Sequence, residues 1–140
     1  MATIPHPITT PLAFKTTTVN AQVVGATDTD NLTPQVGELR FTPATQTGSW
    51  TGVSGNVVSD QSAPVWTVTI GMIQDIAASG MLRWLLSNKG KKATFTALLV
   101  TGVTATFTAT ISPAEIGGAP SGTPLTSTVT LAMDGDPAFT

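Results

Sequence analysis

The sequence predicts a mainly β protein: an antiparallel β-sandwich or partly closed barrel with one flanking α-helix. Three observations predict it. Residues 66–70, 93–100, 103–111 and 125–133 alternate apolar and polar side chains, which is the two-residue period of a strand with one buried and one solvated face. Residues 74–88 break that period, because Ile73, Ile76, Ala77, Met81, Trp84 and Leu85 recur at the three- and four-residue steps of one helix face. Glycine and proline, 13 and 10 among 140 residues, punctuate the chain often enough to keep every element short.

Taken in order, residues 1–11 hold Pro5, Pro7 and Pro11 without periodicity, so they are expected as an arm that can lie on a neighbour. Residues 12–24 are expected as a first strand, with Leu12, Phe14, Val19, Ala21 and Val23 on alternate positions. Residues 25–34, with Asp28, Asp30 and Asn31, read as a turn-rich loop. In the short strand 36–42, Leu39 and Phe41 point one way and Glu38 and Arg40 the other. Residues 43–64 are rich in Gly, Ser, Thr and Gln around a lone Trp50. They read as a long inter-strand loop, within which 49–53 or 56–59 can form a short strand. The helix 74–88 is expected to be capped by Asp75 or Ser79, with Leu82 and Leu86 widening its apolar stripe and Asn88-Lys89-Gly90 ending it. The strands 93–100 and 103–111 form a hairpin about Thr101-Gly102. Residues 112–124 make a long turn, and Asp134-Gly135-Asp136-Pro137 ends the last strand.

Length fits one domain, residues 1–140. Only 10% of the residues are charged, and threonine and serine take the place of the missing charge. A polar surface so poor in charge suits burial against another protein better than permanent exposure. A net charge of −2 argues against nucleic-acid binding by phosphate neutralisation, since the one basic cluster, Lys89-Lys91-Lys92, is short. There is no cysteine, so thiolate metal sites and disulfides are excluded. The start lacks the basic and apolar runs of a secretory signal, and no apolar run approaches the roughly 20 residues that span a bilayer. The expectation is a protein made in a cytoplasm, with no membrane anchor.

Catalytic chemistry has no visible carrier. His6, the single histidine, lies between two prolines without a second group to orient it as a base. Asp28 with Asp30, and Asp134 with Asp136, read as turn formers, because calcium needs about 6–8 oxygens and the rest of a binding loop is missing. The glycines of 52–55 and 117–118 lack the lysine and the strand-loop-helix setting of a phosphate loop. No catalytic, cofactor-binding or metal residue is therefore assigned. Among the tryptophans, Trp66 and Trp84 fall on core-facing positions, leaving Trp50 free.

From Trp66 onward the order of features resembles a known family. The strand Trp66-Thr67-Val68-Thr69-Ile70 is followed by Gln74-Asp75 opening a helix that ends Arg83-Trp84-Leu85-Leu86 before a glycine. Two threonine-rich strands, Pro113, Gly117-Gly118, a last threonine strand and Gly135-Asp136-Pro137-Ala138 then follow. This resembles the major tail tube proteins of long, non-contractile-tailed bacteriophages, with Ser49-Trp50-Thr51-Gly52 as a further match and the first forty residues outside it. The resemblance implies a virion protein whose β-sandwich assembles into hexameric rings. The rings stack into a tail tube around a tape-measure protein, between tail tip and tail terminator proteins. Genomic DNA would pass through the lumen at ejection without specific binding, and no enzyme activity or cofactor is implied. Such tubes tend to a negative lumen, for which Asp28, Asp30, Glu38, Asp60 and Glu115 are candidate carboxylates, none of them singled out. Candidates for contacts between copies are Trp50, Asp60, Asp28 and Asp30. The competing reading is a carbohydrate-binding, adhesion or virion decoration module that stacks a sugar on Trp50.

Overall fold

The alternating stretches become strands wherever one face has a core to bury against. The computed structural model describes residues 2–13 and 17–140. Its elements are β1 (Thr18–Val23), β2 (Asp30–Asn31), a 3-10 turn (Thr33–Gln35), β3 (Val36–Ala44), β4 (Thr47–Thr51), β5 (Val57–Gln61) and β6 (Val65–Ile73). The helix α1 (Met81–Ser87), β7 (Lys92–Val100), β8 (Val103–Thr110), β9 (Thr126–Met133) and β10 (Ala138–Phe139) complete the chain. One antiparallel sheet runs β2-β1-β7-β8-β9-β6-β3, with β10 also paired to β8, and β4 and β5 form a separate two-stranded ribbon.

That sheet folds over on itself at β8. Only Ala109 and Thr110 of β8 pair with β9, at Met133 and Ala132, and the chain then turns through Gly135, whose φ of 82° suits a residue without a Cβ. It returns as β10 to pair with Ala105 and Thr106 on the other half of the same β8 edge. The two halves of the sheet are thereby splayed into two layers. Phe41 of β3 meets Phe107 of β8 edge-on at 5.0 Å across the gap, and Phe107 stacks on its cross-strand neighbour Phe95 at 5.1 Å. Among the described residues β3 pairs with β6 alone, so its other edge is open and the barrel is not closed.

Residue by residue, the inward rows are those the alternation selects. Ala93, Phe95, Ala97 and Leu99 of β7, Ala105, Phe107 and Ala109 of β8, Val68, Ile70 and Met72 of β6, and Val129, Leu131 and Met133 of β9 are all buried. Their burial stabilises by about 1.5–3 kcal/mol for each large side chain. Outward, Thr94 faces Thr108, Thr96 faces Thr106 and Thr69 faces Thr130 across neighbouring strands. The hairpin about Thr101-Gly102 forms as expected, with Gly102 at a φ of 86°.

Three expectations are corrected. The helix does not begin at Gln74: it spans only Met81–Ser87 and follows Gly80. Ile73 completes β6 and Ile76 is 72% exposed, so neither belongs to the helical stripe. Asp75 does not cap the helix either; its Oδ1 accepts the Ala77 N–H in a local turn. The cap comes from far away, since Gln35 Oε1 accepts the Met81 N–H at 2.7 Å while Gln35 Nε2 donates to Asp75 Oδ2. Gly80 must be glycine there, because a Cβ would lie 2.2 Å from the Asp75 carbonyl oxygen.

The second correction concerns residues 12–24. The strand begins at Thr18, and Leu12 belongs to the exposed arm; Phe14 lies outside the described residues. Thr33 closes the strand's outer edge, its Oγ1 accepting the Val19 N–H at 2.9 Å. The third concerns residues 43–64, expected as a long loop with a short strand at 49–53 or 56–59: Pro43 and Ala44 extend β3, and Thr47–Thr51 pairs with Val57–Gln61 as a hairpin.

Candidate assembly surface

The hairpin of β4 and β5 is a direct continuation of the β3–β6 pair. Ala44 pairs with Val65 at the end of the main sheet, and Thr47 with Gln61 at the start of the ribbon. Between them the Ser62 N–H donates to the Gln46 carbonyl, and the Gln46 N–H goes to the Ser62 hydroxyl in place of a backbone oxygen. The ladder is thus interrupted but bridged. Five residues on each strand carry the ribbon about 17 Å further, at roughly 3.4 Å per residue, to a tip closed by hydrogen bonds from Gly52 to Asn56 and from Gly55 to Gly52.

Every residue of β4 and β5 is exposed. Exposed apolar side chains are nevertheless concentrated here: Trp50 at 65%, Val57 at 62% and Val58 at 59%, with Val53 at the tip. A two-stranded ribbon without a core is marginal in water. The register places Trp50 opposite Val58 and Gly48 opposite Asp60, so Trp50, Val58 and Asp60 share one face. The indole rests over Gly52, where a Cβ would sit 2.8 Å from its Cη2.

Of the sequence candidates, the structure therefore brings Trp50 and Asp60 together. Asp28 is exposed in the turn before β2. Asp30, on β2, is occupied within the chain: its Oδ2 accepts the Trp84 Nε1–H at 2.9 Å, and Trp84 meets Phe95 edge-on at 6.3 Å. Glu38 pairs with Arg40 at 3.2 Å on the outer face of β3. Two features escaped sequence reasoning. One is the apolar pair Val57-Val58, whose signal was two adjacent valines in an otherwise Gly- and Ser-rich stretch. The other is a cavity of about 240 Å³ at the open edge of β3, lined by Leu12, Leu39, Arg40, Phe41, Leu99 and Phe139, for which the sequence offers no local signal.

Neither outer face of the sandwich offers a cluster of chemistry. Among the described residues no three of His, Cys, Asp and Glu come together as metal ligands, and His6 sits in the exposed arm. No helix among the described residues is long and apolar enough to cross a membrane.

No family model matches the chain, and no curated protein matches its sequence. Solved structures do share its fold. A chain of the anti-feeding prophage (AFP) baseplate, from a six-fold symmetrised cryo-EM structure, superposes with a TM-score of 0.56 at 14% identity, covering 95% of this chain and 97% of the other. A chain from the tail of an empty GTA particle, refined helically with C6 symmetry, gives 0.55 at 15% identity, covering 88% and 94%. The likeness spans nearly the whole of each chain, so it includes both sheet layers.

Proposed function

We propose that this protein is a structural virion subunit that forms hexameric rings and stacks them into a bacteriophage tail tube, the conduit for DNA at ejection. The observation that carries the reading is the β4–β5 ribbon, which places Trp50, Val57 and Val58 in solvent on an element that buries nothing of its own. Apolar side chains presented in this way belong against a partner. That the fold is shared with subunits of six-fold baseplate and tail particles supports a second copy of the chain as that partner. The 140 residues act as one domain, with the arm as a further contact. Tape-measure, tail tip and tail terminator proteins are the partners this role requires. The outer faces, covered by threonine hydroxyls, would give DNA phosphates only the short Lys89-Lys91-Lys92 cluster, of which Lys92 is paired with Asp134 at 2.6 Å, so passage without specific binding fits them.

Electron microscopy of the concentrated protein tests the reading. Rings with six-fold symmetry or hollow tubes of uniform width are expected, and particles that stay monomeric at every concentration would overturn it. The competing carbohydrate-binding reading has a single exposed tryptophan, Trp50, since Trp84 is tied to Asp30 and Trp66 packs against the core. Glycan binding lost on Trp50→Ala, with no assembly, would favour it instead.

A further inference from the structure

We infer that the open seam beside β3 is the socket for the ribbon of a second copy, with Trp50 and Val58 entering it and Asp60 pairing with Arg40 at its rim. The inference rests on self-assembly as proposed above and names the surfaces that meet.

The seam exists because the barrel fails to close. Among the described residues β3 pairs with β6 only, and between its free side and the layer of β7 and β10 lies the cavity of about 240 Å³. That is below the roughly 300–1,000 Å³ of a small-molecule pocket and of the size for one or two side chains. Five of its six lining residues are apolar and the sixth is Arg40. Its floor, Leu39 and Leu99, is buried, whereas Phe139 and Leu12 at the margin remain 58% and 65% exposed. The margin is thus an uncovered apolar rim, with the Arg40 side chain beside it on the outer face of β3.

The ribbon face carries the complement in the same small space. Trp50 and Val58 are directly opposed, and Asp60 lies two residues from Val58 on the same side, so an apolar pair is flanked by a single anion. Among the described residues neither charge is held firmly. The Arg40 side chain is 71% exposed and meets Glu38 at the surface, and the Asp60 carboxylate accepts the N–H of the next residue. Each can exchange its present partner for the other. An indole entering an apolar socket beside a complementary ion pair is the arrangement that dominates binding energy at protein interfaces. The ribbon's projection also keeps Trp50 clear of its own core, since every residue of β4 and β5 is exposed, leaving it available to another copy.

The absence of cysteine makes the test clean. Copies bearing Val58→Cys are mixed with copies bearing Phe139→Cys, both at well-exposed positions, and oxidised under assembly conditions. Cross-links between the two are expected at about ten-fold or more the yield of Val58→Cys with Ile76→Cys, because adjacency raises effective concentration. In parallel, Asp60→Arg and Arg40→Asp should each suppress assembly, and the two substitutions together in one chain should restore it. Tubes that form without the Val58–Phe139 cross-link, or that are not rescued by the charge exchange, overturn the socket while leaving self-assembly standing. Phe139→Cys cross-linking instead to Ile8→Cys assigns the seam to the arm and likewise overturns it. Failure of the unsubstituted protein to assemble at all overturns both readings.

Discussion

Replacing Gln35 by alanine tests whether the helix depends on a cap supplied from 46 positions away in the chain. The helix has seven residues and its N-cap, Gly80, has no side chain to offer, so the Met81 N–H has Gln35 Oε1 as its acceptor at 2.7 Å. Met81 is 1% exposed, which leaves water little access to replace that oxygen. An orphaned buried donor costs about 1–3 kcal/mol, and a lost helix cap about 0.5–2 kcal/mol. Both figures describe one bond and are not summed, so a loss of about 2 kcal/mol is expected. At roughly 2–4 °C per kcal/mol for a chain of this size, the melting midpoint should fall by about 4–8 °C. Urea unfolding followed by far-UV circular dichroism gives the free energy directly. Gln22→Ala is the control: Gln22 is exposed and, among the described residues, its amide bonds only the Ala26 carbonyl, so its effect should stay within about 0.5 kcal/mol. A Gln35→Ala protein indistinguishable from the Gln22→Ala protein would mean that Met81 finds another acceptor, and the long-range cap would carry no stability.

Two further substitutions test the layers. Val129 is 5% exposed while its neighbour Thr128 faces out; Val129→Asp should abolish folding or cost several kcal/mol through a buried unpaired carboxylate, and Thr128→Asp should be tolerated, with equal melting temperatures counting against the assigned register. Trp84→Ala should cost about 3–5 kcal/mol as a core truncation, whereas Trp84→Phe keeps the packing against Phe95 and should cost about 1.5–3 kcal/mol for the bond to the Asp30 carboxylate; equal losses in calorimetry would show that the hydrogen bond rather than the ring holds the helix.

What the sequence made legible is what the core dictates. β6, β7, β8 and β9 bury every second side chain, so their period of two is written into the residues themselves and the inward rows could be read directly. The helix was placed correctly at its C-terminal end, where Met81, Leu82 and Leu85 are buried, and too early at its start. Ile73, Ile76 and Ala77 fall at helical spacing by coincidence: the first belongs to a strand and the second to an exposed turn held by Asp75. The signal against a longer helix was Ser79-Gly80, and the reason for that glycine, a carbonyl in the way of any Cβ, is a tertiary fact. β2 and β10 are two residues each, too short to carry any period. Of the candidate residues, Trp50 and Asp60 were found by composition. Asp30 was also named, but its partner Trp84 could be found only in three dimensions.

The β4–β5 ribbon was illegible as a hairpin for a reason that bears on function. Alternation is imposed on a strand by the difference between its two environments, and in a single copy both faces of this ribbon see water. The chain's own fold therefore exerts no constraint on which residues stand there. A surface shaped by solubility alone would fill such positions with polar side chains, as the threonine rows of β7 and β8 do. Trp50, Val57 and Val58 depart from that, and the cross-strand pair of Trp50 with Val58 contributes only about 0.2–1 kcal/mol to the ribbon. The contact with a second copy proposed above would account for their presence. The same holds for Phe139, which ends the chain's last strand 58% exposed beside a buried floor. Among the exposed apolar side chains of the described residues, those of the ribbon project and Phe139 borders a recess, and the contact between copies proposed above would account for both at once.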